Sequence, residues 1–324
     1  MNGILTKREE FKIQAERYLK DKWPNELPAE GGNFVLQPIR GGTESILLSL
    51  HTNNSRPLIL RGFKRLDKFK GIIRAYHHLT AAGVNVPKII YIDSSRQTFR
   101  KYGYYLVFEE KIQGKTWSRL QDPLQFIPVI AEGFSKMHRV RSQKWGFIGR
   151  RIRWGFHLYI LKEIREWLKC WKRFDSKISE NDVNECWRWF KEKRKIAKKY
   201  KIYSLIHGEP TEDNIVFTSD GRMFLLDFSK VKYFPFLVDI SILEKNFSED
   251  IAMTFEKYYC NNLSEQQLEE FYNCRDFYEC FVLLKWIREY AFRSDRLDES
   301  DPKKEYWGVK LANSKKLMLD IVYR

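Results

Sequence analysis

Residues 34–63, FVLQPIRGGTESILLSLHTNNSRPLILRGF, read as strand, glycine turn, strand, Asn-Asn-Ser turn, strand. The arms are rich in alternating β-formers, and Gly41-Gly42 and Asn53-Asn54-Ser55 are residue types that reverse a chain. The run therefore commits the early part of the chain to a sheet. A helix precedes it: over residues 6–22, Phe11, Ala15, Tyr18 and Leu19 recur at i, i+4, i+7 and i+8. Residues 66–82 read as a second helix that Gly83 ends, VNVPKIIYIDSS returns to an extended chain, and YGYYLVFEE is a further strand leading into KIQGKTW. Strands, helix and more strands in this order make a small α+β lobe.

Beyond Lys111 the character changes. Residues 123–139, 157–173 and 181–201 read as helices, 204–228 as a hairpin, and 238–324 as mostly helical, with Phe277, Phe281, Leu284 and Ile287 on one face. The expected fold class is α+β in two lobes. A β-rich lobe of residues 1–111, with its leading helix, precedes a larger, mainly helical lobe of residues 112–324. Ligands commonly sit in the cleft of such an architecture.

A hydrophobic content of 43% and an aromatic content of 15% supply a core and exclude a largely disordered chain. The N-terminal MNGILTKREEFKIQAERYLK is charged and amphipathic, unlike a signal peptide, and no stretch reaches the roughly 18 apolar residues of a membrane span. Five cysteines, with no Cys-x-x-Cys pair, fit reduced thiols better than a disulfide framework or a zinc site. A cytoplasmic location is expected.

Net charge is +16 and unevenly placed. Residues 136–201 hold 21 Lys+Arg against 7 Asp+Glu, or +14, whereas residues 202–324 hold 16 against 22, or −6. Such a segment suits an anionic partner: nucleotide phosphates, an acidic substrate, nucleic acid or an anionic membrane surface. It is equally the composition of a solvated helical face. The run WGFHLYILKEIREWLKCWKRF (154–174) reads most simply as a helix packing its aromatic side, with a membrane-surface helix as the alternative. His77-His78 has no third ligand at metal spacing, and neither G-x-x-x-x-G-K-[ST] nor G-x-G-x-x-G occurs.

The chemistry concentrates in LIHGEPTEDNIVF (205–217), where two apolar arms flank His207, Glu209, Asp213 and Asn214. Asp227 follows in FLLDFSK, after a Ser219-Asp220-Gly221 turn. Antiparallel strands joined by that turn bring Asn214 and Asp227 together at one edge. An amide oxygen beside a carboxylate is the hard, oxygen-only set that Mg²⁺ accepts when it also binds nucleotide phosphates. An acid five residues upstream of Asn214 can orient a hydroxyl and accept its proton.

Here the chain resembles the aminoglycoside phosphotransferase and choline kinase-like family, relatives of the protein kinases. The family's catalytic motif is His-Gly-Asp, four residues, Asn, then a metal-binding Asp; HGEPTEDN and LLDFS resemble it apart from Glu209. Weaker agreements follow in the right order: PIRGGTES, PLILRGF, LTAAGVNVPKII, YYLVFEEKIQGKTW, FSKMHRVRSQKWGFIG and FLVDIS, the last offering Asp239 as a structural aspartate. The resemblance covers roughly residues 34–290 and implies a bilobal, protein-kinase-like fold.

It also implies roles. Gly41, Gly42, Thr43 and Ser45 would cover the phosphates of ATP, Arg61 would hold its α- and β-phosphates, and backbone groups of Glu109, Glu110, Lys111 and Ile112 would take the adenine. Glu209 would be the base, and Asn214 and Asp227 would hold Mg²⁺. Three positions depart from the pattern. Glu209 stands for aspartate, Arg61 stands for lysine, and residues 66–79 hold only Asp67, too early to be the usual helix glutamate beside that cation.

The function expected is an ATP- and Mg²⁺-dependent phosphotransferase acting on a hydroxyl of a sugar, amino alcohol, aminoglycoside-like compound or glycan. A catalytically degenerate protein that binds nucleotide or ligand is the alternative. The small-molecule reading argues against nucleic acid as a partner and allows peripheral contact with an anionic membrane surface. It sets no oligomeric state.

Overall fold

A computed structural model describes residues 6–27, 33–39, 45–53, 56–148, 155–176, 178–298 and 300–324. In chain order it opens with α1 (Lys7–Asp21), β1 (Phe34–Pro38), β2 (Ile46–Thr52), β3 (Leu58–Phe63), α2 (Leu66–Ala81), β4 (Ile89–Asp93), α3 (Arg96–Tyr102) and β5 (Tyr105–Glu110). There follow β6 (Lys115–Thr116), α4 (Ile127–His138), β7 (Arg141–Ser142), β8 (Gly146–Phe147), α5 (Phe156–Phe174), α6 (Glu180–Lys193), α7 (Lys195–Lys199) and β9 (Tyr203–Ile206). The chain ends with β10 (Ile215–Phe217), β11 (Met223–Leu225), β12 (Lys232–Phe234), α8 (Leu237–Asn246), α9 (Glu249–Cys260), α10 (Glu265–Asp295) and α11 (Pro302–Val322). This is the α+β class expected, sheet-rich early and helical late.

Two compact units emerge. The first joins residues 1–140 with 147–150 and 209–232; the second holds 141–146, 151–208 and 233–324. In the first, five antiparallel strands lie in the order β1-β2-β3-β5-β4. Because side chains alternate across a strand, Leu58 and Leu60 of β3 and Leu106 and Phe108 of β5 share one face. Those four pack with Phe11, Ala15, Tyr18 and Leu19 of α1, the stripe expected from their spacing. Thr6 and Glu9 cap the start of α1 reciprocally, each side chain accepting the other's backbone N–H.

The opposite face of the sheet carries Arg61 of β3 and Tyr105 and Glu109 of β5, and α2 covers it through Phe69, which meets Phe63 at 5.8 Å and Tyr105 at 5.5 Å between ring centres. A short helix not anticipated from the sequence, α3, lies between β4 and β5. It is capped by the Ser95 hydroxyl, which accepts from Thr98 N–H, and closed by Gly103 at φ 80°. Seven polar-rich residues are too few to display a helical stripe.

A second sheet of the first unit, β11-β10-β6, forms the hairpin frame of the site. Gly114 precedes β6 because any β-carbon there would lie 2.3 Å from the Phe217 carbonyl oxygen. In the second unit α10 packs on α5, α8 and α11. Phe277, Phe281, Leu284 and Ile287 of α10 are buried as their spacing predicts. The aromatic side of α5 faces inward too: Trp171 is fully buried and Trp167 meets Phe281 at 4.7 Å, while Lys169, Lys172 and Arg173 remain outside. The helix expected over 181–201 is two, α6 and α7, parted at Arg194. Among the described residues no helix is long and apolar enough to cross a membrane.

Candidate active site

The loop that the sequence singles out leaves β9 at Ile206. The N–H groups of His207 and Gly208 both donate to the fully buried carboxylate of Asp239, at 2.7 and 2.8 Å. Charge-assisted bonds of this kind fix backbone rather than chemistry, and Gly208 allows the turn by adopting φ 82°. Glu209 follows directly. Its carbonyl oxygen accepts from Thr211 N–H at 2.8 Å and from the Asn214 side-chain amide at 2.9 Å. The backbone of Glu209 is thus anchored, and its side chain is half-buried.

That same bond orients Asn214. With its amide nitrogen committed to Glu209, the carboxamide presents its oxygen elsewhere. The register of the β10–β11 hairpin, Ile215 opposite Leu225, and the bond from Leu226 N–H to the Asn214 carbonyl bring Asn214 and Asp227 to the hairpin's open end, as their spacing predicts. Asn85 ties this hairpin down on its other strand, donating to Met223 carbonyl and accepting from Leu225 N–H, both at 3.1 Å.

Among the described residues, Asp227 alone of the non-glycines has positive φ, at 55°. Left-handed backbone at a residue with a β-carbon costs on the order of 1 kcal/mol and persists where its surroundings impose it. Its Oδ1 accepts from Ser229 N–H at 3.3 Å, capping a short turn of helix. The carboxylate therefore stands at a strained corner beside an oriented amide oxygen. Among the described residues no group of three or more His, Cys, Asp or Glu could hold a metal. A magnesium ion here would take only these oxygens from the protein and the rest from phosphates and water, the usual division for nucleotide-bound Mg²⁺.

Arg61 is the other pole of the site. It is 4% exposed, and its guanidinium donates to Glu109 Oε1 at 2.7 Å and to the Ser45 hydroxyl at 3.2 Å. Among the described residues its Nε is buried with no hydrogen-bond partner. Burial alone would drive the proton off; the neighbouring Glu109 carboxylate reverses this, and Arg61 holds its charge more firmly than a free arginine. Asp227 contributes in the same direction. Tyr76 of α2 donates its hydroxyl to Glu109 Oε2, and its ring meets Phe228, the residue after Asp227, edge-on at 4.9 Å. Burial, then the Glu109 charge, pushes the Tyr76 phenol far up, so it remains a donor.

This arrangement supplies the partner that the sequence left unidentified. The carboxylate comes from β5 rather than α2, and α2 contributes a hydroxyl instead of an acid. Glu109 was expected to offer its backbone to adenine; its side chain is committed to Arg61 and Tyr76. The N–H groups of Glu110 and Lys111 donate to the carbonyls of Lys88 and Pro57, and the Lys111 ammonium donates to Ser49. Ile112, partly buried, continues this segment. Of the glycine turn, Ser45 stands beside Arg61, whereas Gly41, Gly42 and Thr43 lie outside the described residues. Glu209, Asn214, Asp227, Ser45, Arg61 and Glu109 all fall within the first unit.

A frame of five antiparallel strands with a helix on the face that carries Arg61, followed by a β-hairpin, is a protein-kinase-like fold. Residues 35–272 match the phosphotransferase enzyme family, and the chain belongs to it. No curated protein matches the sequence. Solved structures share the fold at low identity. Aminoglycoside phosphotransferase APH(4)-Ia is 14% identical with a TM-score of 0.66, over 96% of this chain and 98% of that one. A thermostable mutant of it, in ternary complex with AMP-PNP and hygromycin B, is 15% identical with a TM-score of 0.64 over 96% and 98%. Ethanolamine kinase of Plasmodium vivax is 14% identical with a TM-score of 0.60 over 97% and 90%.

Proposed function

We propose that the chain is an ATP- and Mg²⁺-dependent kinase that phosphorylates a hydroxyl of a small-molecule or glycan acceptor. The observation that carries this reading is the pairing of Asn214 and Asp227 at the open end of one hairpin, on the same compact unit as a buried, charge-locked Arg61. Nucleotide phosphates suit the firmly charged guanidinium of Arg61, and Mg²⁺ suits the amide oxygen of Asn214 with the carboxylate of Asp227. When bound, the metal neutralises charge developing on the phosphoryl group.

Glu209 orients the acceptor hydroxyl and takes its proton as the acceptor oxygen bonds to the γ-phosphorus and the bond to the ADP oxygen breaks. Arg61 stabilises the charge left on the nucleotide. Asp239 holds the loop on which Glu209 stands. Free thiols at all five cysteines and the need for ATP support a cytoplasmic location.

One structural neighbour binds hygromycin B and another is named for ethanolamine, so acceptors of different size suit the fold. Cationic aminoglycosides are disfavoured by the +14 segment and favoured by the −6 part after it; a sugar, an amino alcohol or an acidic saccharide fits at least as well. The test is a screen of purified protein against hydroxyl acceptors, with ADP release and phosphorus NMR as readouts. Wild type should turn over at least one acceptor, and Asp227→Asn should abolish it. Nucleotide binding without turnover across the panel would identify a binding protein instead.

A further inference from the structure

The basic segment of residues 136–201 takes no part in the site above. Within the second unit several of its cations line a cavity of about 830 Å³, in the range of small-molecule sites, about 300–1,000 Å³. Lys193, Lys195, Lys199 and Lys201 come from the end of α6, from α7 and from the link to β9, and Arg141 from β7. The rest of the lining is largely the start of α10, with Gln266, Glu269, Glu270 and Asn273.

Charge here is out of balance. Five cations meet two carboxylates, and among the described residues none of the four lysines is ion-paired. Lys195 and Lys199 stand four apart on α7, a like-charge spacing that destabilises a five-residue helix unless an anion intervenes. Hydrogen bonding is also incomplete. Among the described residues, Glu270 Oε1 and the Tyr200 hydroxyl, which belong to lining residues but are themselves shielded from solvent, have no hydrogen-bond partner. Such atoms cost free energy until something satisfies them. Burial pushes the Glu270 carboxyl up to about 7, with Arg141 pulling the other way, so this acid offsets the lysines only in part near neutral pH.

We propose that this cavity is a second ligand site, built from none of the phosphotransfer residues, that takes a compact anionic polyol such as a phosphorylated or carboxylated sugar. Lysine ammoniums are mobile point charges that receive phosphate or carboxylate oxygens. The side-chain amides of Gln266 and Asn273 and the exposed carboxylate of Glu269 offer the mixed donors and acceptors that sugar hydroxyls use. A single pocket of this size differs from the continuous groove and stacking platforms of a single-strand nucleic-acid site.

The experiment is isothermal titration calorimetry on the full chain at low salt, with inositol hexakisphosphate, glucose 6-phosphate and glucose as probes. Both phosphorylated probes should bind one to one and glucose should not. Lys199→Glu with Lys201→Glu should weaken both by about ten-fold or more, which is about 1.4 kcal/mol, while Asp227→Asn leaves them unchanged. Asn273→Ala should weaken glucose 6-phosphate. If the charge reversals fail to fold, Lys199→Gln with Lys201→Gln gives the same reading. Absence of binding by inositol hexakisphosphate, or binding indifferent to the lysine changes, overturns the proposal. Tighter binding of a single-stranded oligonucleotide, lost in the same variants, overturns it in favour of a nucleic-acid surface.

Discussion

Arg61 on β3 and Glu109 on the neighbouring β5 form an ion pair of 2.7 Å, with side chains only 5% and 3% exposed. A pair so placed is felt most when half of it is removed, because the remaining charge stays buried and uncompensated. Glu109→Ala is therefore expected to lower unfolding free energy by about 3–5 kcal/mol in urea titrations. Replacing both residues with methionine should recover most of that loss while eliminating nucleotide binding in a thermal-shift assay. A Glu109→Ala protein within about 0.5 kcal/mol of wild type would show that the pair is not what holds Arg61.

The same two residues show what the sequence discloses. Asn214 and Asp227 were legible because one tight turn joins their strands, and alternation across a single hairpin fixes where both ends fall. Glu109 was not, since β3 and β5 are separated by α2, β4 and α3, and the register Arg61 opposite Val107 is set by packing. A cue existed: in YLVFEE an acid at Glu109 shares a face with Tyr105 and Val107, an inward charge that demands a partner. Tyr76 was hidden further, as one aromatic residue of an ordinary apolar helix face.

The strained corner at Asp227 allows activity and stability to be separated. Glycine occupies the left-handed region freely, so Asp227→Gly should fold about as well as wild type while losing Mg²⁺-dependent nucleotide binding and turnover. Both variants lose the cap to Ser229 N–H, but Asp227→Ala also keeps a β-carbon in the left-handed region and should cost about 1 kcal/mol more than the glycine variant. Urea unfolding beside a Mg²⁺ titration reads both. Retained turnover in Asp227→Gly would remove Asp227 from the metal site.

At Glu209 the question is reach. Asp239 fixes the backbone before it, and Asn214 and Thr211 fix its carbonyl, so the loop cannot advance to meet a shorter side chain. Glu209→Asp, which restores the family's usual residue, should lower kcat by about 10²-fold, the scale of a 1 Å misplacement. Glu209→Ala should lower it by about 10²–10⁴-fold, the range of a lost general base. KM for nucleotide should change little in either. An aspartate variant as fast as wild type would mean that the loop adapts to the acid it carries.

Acid stability should centre on Asp93, which joins α1, β4 and α3. Its side chain is 1% exposed and accepts from the Tyr18 and Thr98 hydroxyls at 2.9 Å and from Ser95 N–H and Lys22 at 3.0 Å. Burial alone would raise its affinity for a proton; the Ser95 backbone, Lys22 and Thr98 outweigh it and bring the carboxyl from 3.8 down to about 2. A depressed folded value means stability that is complete above the unfolded value and is lost as pH falls through the folded one. The window is therefore about pH 4 to 2. Urea unfolding of wild type and Asp93→Asn should show the variant less stable at pH 6, with the gap narrowing across that window. A gap that stays constant down to pH 2 would mean that Asp93 stabilises through shape and neutral hydrogen bonds, and that another carboxylate governs acid unfolding.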